Sequence, residues 1–148
     1  NQIKKPEKWL RRFAEEHATF SEADNEPAWG GWLSDIDWGR GPSVQIVPLL
    51  SPADLLHEAM ALHNCADCFT PRCQQGTHLL LSLRSRTSGK RIALAALTQE
   101  ARSWRLGSVA GPCNRPVPSA IRQAAQTAAG LVASRYREQM LEGVLPRI

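Results

Sequence analysis

The sequence predicts an α+β domain in which helices pack on one small antiparallel sheet of about three strands. Alternating apolar runs over residues 79–84, 90–97 and 102–110 succeed one another across short turns, as in an antiparallel meander. Helical periodicity appears before and after these runs, the segregated order of an α+β chain. With 148 residues, 43% apolar and 22% charged, the chain is long enough to bury one core without disulfide staples.

Taken in order, Pro6 suits a first helical turn. Trp9, Leu10, Phe13, Ala14, His17 and Phe20 then recur at three- and four-residue spacing, predicting an amphipathic helix over 6–20. Residues 21–43 mix acids, glycines and prolines with Trp29, Trp32 and Trp38, and read as a long ordered loop. Acidic neighbours oppose phosphate contact, so these indoles are expected to pack on the core. Val44, Ile46 and Leu49 alternate in a short extended piece that Pro48 confines to a sheet edge. Ser51-Pro52-Ala53-Asp54 is a helix start: Ser51 caps, Pro52 fits the first turn, and Asp54 stands where a capping-box acid does. Leu55, Leu56, Ala59, Met60 and Leu62 continue that helix to the middle 60s, with a second piece limited upstream by Pro71. After the three strands comes a Gly- and Pro-rich loop. Ala120, Ile121, Ala124, Ala125, Ala128, Leu131, Val132 and Tyr136 define a last helix to about 139. Residues 1–49 thus form an N-terminal helix and Trp-rich loop, and 50–148 the α+β domain, together one compact unit.

Charge is distributed unevenly. Residues 1–60 hold six basic and ten acidic side chains, and residues 61–148 hold twelve and four, a balance of −4 against +8. All but one of the later cations are Arg, suited to phosphate and planar acceptors. Arg84, Arg86, Lys90, Arg91, Arg102 and Arg105 lie on or beside the predicted strands. They are the candidate basic face for DNA or RNA, with Arg84 and Arg86 on one side of their strand. No apolar run reaches the roughly 18 residues of a membrane span, and the start lacks a secretory pattern. A cytoplasmic protein with reduced thiols and no membrane partner is expected.

Three of four cysteines fall close together, as Cys65-x2-Cys68-x4-Cys73-x4-His78. These are the ligand types of a four-coordinate zinc site. Cys65-x2-Cys68 also has dithiol spacing, without the βαβ context of thioredoxin-like proteins. As a nucleophile, Cys65 with His63 as base is the best pair. Small, soft thiols buried where a helix meets a sheet are the plain alternative.

The ordered set Cys65, Phe69, Cys73, Gly76 and Ser82-Leu83-Arg84, followed by Arg91, Trp104 and Gly111-x-x-Asn114, resembles the PcfJ-like domain of conjugative plasmids and other mobile elements over residues 50–140. That family commonly has His before the first Cys, an acid in the second strand and Gln in the third. This chain has Asn64, Ala95-Ala96 and Ser108 there. The resemblance implies a mobile-element setting more than a reaction. The expected function is a non-catalytic binding domain contacting nucleic acid through the Arg-rich face. The alternatives are a zinc- or cysteine-dependent protein centred on Cys65, Cys68, Cys73 and His78, and a protein–protein module of a toxin, immunity or conjugation system using the Trp29–Trp38 loop.

Overall fold

A computed structural model describes residues 26–39 and 43–143; the expected helix over 6–20 lies outside them. Four strands form one antiparallel sheet in sequential order: β1 (Val44–Leu49), β2 (His78–Ser85), β3 (Arg91–Glu100) and β4 (Ser103–Ala110). Three α-helices pack on it: α1 (Pro52–Leu62), α2 (Thr70–Gln74) and α3 (Ser119–Leu141). The α+β class is as the sequence predicts. The additional strand is the Pro48 segment, on an edge where a missing N–H costs no ladder bond.

Helix α1 begins as its sequence requires. Ser51 Oγ accepts the Asp54 N–H at 3.2 Å, and Asp54 Oδ2 accepts the Leu50 N–H at 2.9 Å. This is a capping box whose return bond reaches one residue further back. The helix ends at His63, whose left-handed backbone (φ 52°) returns its N–H to Ala59 O. A 3-10 turn over Ala66–Phe69 and then α2 carry the chain to β2.

Strand alternation separates the two faces of the sheet. Leu80, Ser82 and Arg84 of β2 point toward α1. Leu79, Leu81 and Leu83, with Ala93, Ala95 and Leu97 of β3, point toward α3. On α3, Ala125, Ala128, Ala129, Val132 and Tyr136 are buried, and the small residues let the helix lie close to the sheet. Tyr136 stands edge-on to Trp104 (centroids 6.0 Å apart), lies 5.5 Å from Trp32, and accepts the Gln99 Nε2 hydrogen at 2.9 Å. All three tryptophans of the acidic loop pack on the core, with Trp29 and Leu33 buried in it. Trp29, Trp32, Leu33, Trp38 and the β1 residues Val44, Ile46 and Leu49 therefore share the core of the α+β domain.

Two bulges interrupt the ladder. Between β3 and β4 the register skips Gly107, where a Cβ would come within 3.2 Å of Ala96 O. Between β2 and β3 it skips Ile92, so that Arg91 pairs with Arg84. The β3–β4 hairpin turns on Ala101 (φ 50°) and Arg102 (φ 63°), two left-handed residues without glycine. An Asn-Gly pair at these positions is expected to raise stability by about 1–2 kcal/mol, read as a higher urea midpoint with unchanged slope.

Candidate functional site

The centre of the polar architecture is Glu58. Three residues after Leu55 and four before Leu62, it lies on the buried stripe of α1 and is fully inaccessible. A carboxylate there needs a cation. The β2–β3 bulge supplies two, by turning Arg91 onto the face that already carries Arg84. Arg91 Nε donates to Glu58 Oε1 at 2.7 Å, and Arg84 Nη2 lies 3.8 Å from the same oxygen. Arg84 Nε also donates to the buried Ser82 Oγ at 3.1 Å. The Arg84 guanidinium is pushed below its ordinary pKa by burial, then by Arg91, against the opposing pull of Glu58 and Asp54. Glu58 Oε2 has no hydrogen-bond partner among the described residues. One carboxylate thus holds two guanidinium groups, whose side chains stay 22% and 28% exposed.

This cluster lies under one end of the sheet, and other cations gather there. Lys90 closes the β2–β3 hairpin, its carbonyl accepting the Ser85 N–H at 2.8 Å. Arg86 turns away from Arg84 and reaches across the edge strand, Nη2 donating to Val44 O at 3.1 Å and Gly39 O at 3.3 Å. Its guanidinium is thus held at the β1 edge, while those of Arg84 and Arg91 are held at Glu58. The segment after β4 folds back beside the start of β3. Gly111 N–H donates to Arg115 O at 2.7 Å, and a Cβ on Gly111 would lie 3.6 Å from Ile92 O. Cys113 and Asn114 take left-handed backbone to make that turn. It delivers exposed Arg115 and, in the first turn of α3, exposed Arg122. Among the described residues, no carboxylate pairs with Lys90, Arg115 or Arg122.

The expected six-residue basic face is divided by this geometry. Arg84, Arg86, Lys90 and Arg91 stand at the β2–β3 end. Arg102 and Arg105 stand toward the β3–β4 end, roughly 20–30 Å away along β3, with Arg105 opposite Thr98. Arg105 there is paired with Glu100 at 3.6 Å. Alternation places residues on a side of a sheet, and both ends of a hairpin ladder satisfy it equally.

The cysteines are placed apart in environment. Cys65 and Cys68 are exposed, whereas Cys73 is buried in the core on α2. Burial pushes the Cys73 thiol up to about 12, so it stays protonated at neutral pH. His78 stands on β2 with Nδ1 3.0 Å from Thr77 Oγ1 and its ring 5.6 Å from Phe69. Its pKa is lowered by burial, then by Arg72. Among the described residues, no group of three or more His, Cys, Asp or Glu side chains is arranged to hold a metal ion. The spacing that suggested four ligands is spread over a 3-10 turn, a short helix and a strand, and the core takes the Cys73 side chain. Among the described residues no hydrogen bond joins Cys65 to His63, which serves as the left-handed cap of α1.

Glu58, Arg115 and Arg122 are not among the residues that the sequence singled out. For Glu58 a signal was present: an acid on the apolar stripe, between Leu55 and Leu62, announces a buried ion pair. Comparison with protein-family profiles, curated proteins and solved structures finds no match to this chain.

Proposed function

We propose that this chain is a non-catalytic binding domain that holds nucleic-acid phosphates at the basic end of its sheet. The observation that carries the reading is that exposed Lys90 and Arg115, without described acid partners, stand at the end of the sheet that holds Arg86 and the Arg84–Arg91 pair, with exposed Arg122 in the first turn of the helix on the other face. Such a concentration repels itself and is favoured by a polyanion. Arg122 adds to the argument. It stands in the first turn of a 23-residue helix that has no acid there and no side-chain cap, where the helix dipole disfavours a cation. A phosphate reverses that cost. The mobile-element setting rests on the PcfJ-like order of Ser82, Arg84 and Arg91 in the sequence; of these, Arg84 and Arg91 reach Glu58, and Ser82 accepts from Arg84.

The test is fluorescence anisotropy with labelled single-stranded RNA, single-stranded DNA and duplex DNA over a salt series. With about four phosphate contacts, affinity falls on the order of 50-fold for a single strand and 150-fold for duplex DNA between 50 and 200 mM salt. Reversing Lys90, Arg115 and Arg122 to Glu together lowers affinity by roughly 100-fold at low salt. Reversing Arg102 and Arg105 at the far end changes it much less. Binding that is insensitive to salt, or equal loss from the two ends, rules the reading out.

A further inference from the structure

The turn that leaves α1 holds two thiols in a fixed relation. Cys65 precedes the 3-10 turn Ala66–Phe69 and Cys68 lies within it, the Cys68 N–H donating to Cys65 O at 2.9 Å. Such an i to i+3 bond closes a turn whose outer Cα atoms lie less than about 7 Å apart. That separation is inside the range a disulfide spans. Neighbouring bonds hold the turn in place. Asn64 Oδ1 accepts the Ala66 N–H at 3.0 Å, and Thr70 Oγ1 donates to Asp67 O at 2.8 Å. The Cys65 side chain is among the groups that push the Cys68 thiol up, which makes the two thiols neighbours, and both side chains are exposed. The pair is thus organised, accessible and adjacent, unlike buried Cys73.

We propose that Cys65 and Cys68 are a reversible disulfide site, oxidised by exchange with low-molecular-weight disulfides such as glutathione disulfide. In the first step the Cys65 thiolate attacks one sulfur of the small disulfide. A mixed S–S bond forms, the small S–S bond breaks, and one small thiol leaves with a proton from solvent. In the second step Cys68 loses its proton to solvent and attacks the Cys65 sulfur. The intramolecular bond forms and the second small thiol leaves. Two protein thiols are oxidised, one small disulfide is reduced, and two electrons pass between them. The order of attack follows from the surroundings: burial, Asp67 and then Cys65 push the Cys68 thiol up, which keeps its proton on and makes it the resolving partner. The assignment is independent of nucleic-acid binding.

The experiment incubates the full chain with excess glutathione disulfide at pH 8, quenches with acid, and maps products by differential alkylation and peptide mass. The wild-type chain is expected to yield the 65–68 disulfide with almost no retained glutathione, while Cys73 stays reduced as an internal control. Cys68→Ser removes the resolving thiol. Glutathione retained on Cys65 should then rise on the order of tenfold over wild type, and dithiothreitol should release it. Equal retention in wild type and Cys68→Ser overturns the proposal. So does a link from either residue to Cys113 or to a second molecule in place of the 65–68 bond.

Discussion

Arg91→Ala is expected to lower the unfolding free energy by about 3–5 kcal/mol, more than removal of the acid it pairs with. The asymmetry comes from burial. Glu58 is inaccessible to water and has one close donor, the Arg91 Nε at 2.7 Å; Arg84 lies farther off at 3.8 Å. Without Arg91 the carboxylate stays buried and poorly compensated. Without the carboxylate the two guanidinium groups still reach solvent, since both side chains are partly exposed. Glu58→Met should therefore cost less, about 1–2 kcal/mol, because Met fills similar volume with no polar group to satisfy. The double change Glu58→Met with Arg91→Met should recover much of the loss of Arg91→Ala. Urea unfolding of the four proteins decides it. If Arg91→Ala costs no more than Glu58→Met, the pair contributes by packing and not by charge compensation.

Trp29→Ala carries the second large effect, about 3–5 kcal/mol from the cavity left by an indole. Trp29 is 9% exposed, and its Nε1 donates to Leu49 O at 2.9 Å. The same short segment sends the Ala28 N–H to Leu50 O at 2.8 Å. Gly30 follows with φ +60°, in a position where a Cβ would meet Leu79 Cδ2 at 3.1 Å. These contacts clamp the last residues of β1, so the variant should also lose hydrogen-exchange protection along β1 before the rest of the sheet. Trp29→Phe keeps most of the ring but leaves Leu49 O without its donor, and should cost about 1–2 kcal/mol. Full protection of β1 in Trp29→Ala would show that the tryptophan segment is not part of the fold's support. It would return Trp29 to the role of a partner-facing residue.

Much of the fold is legible in short stretches of the sequence. Ser51, Pro52 and Asp54 announce the start of α1 because capping and proline chemistry act over three or four residues. Pro48 announces an edge strand because it cannot donate to a ladder. Alternation in residues 79–84 and 90–97 announces the hairpin, and three- to four-residue spacing announces α3. These are local relations, and local chemistry settles them.

The site is of another kind. Arg84, Arg86, Lys90, Arg91, Arg102 and Arg105 look equivalent along the chain, yet a bulge at Ile92 decides that Arg91 meets Arg84 over Glu58. The length of β3 decides that Arg102 and Arg105 stand at the opposite end. The left-handed turn at Cys113 and Asn114 decides that Arg115 returns beside the start of β3, at the end of the first group. The cysteines show the same division: spacing groups Cys65, Cys68, Cys73 and His78, while core packing takes Cys73 and leaves Cys65 and Cys68 as an exposed pair. By itself the sequence determined the α+β class, the helix starts, the edge strand and the excess of Arg, because each depends on neighbours within a few residues. Which charges meet, and which thiols, was decided only in the tertiary structure, where a one-residue shift in register or one buried face changes partners between segments distant in the chain.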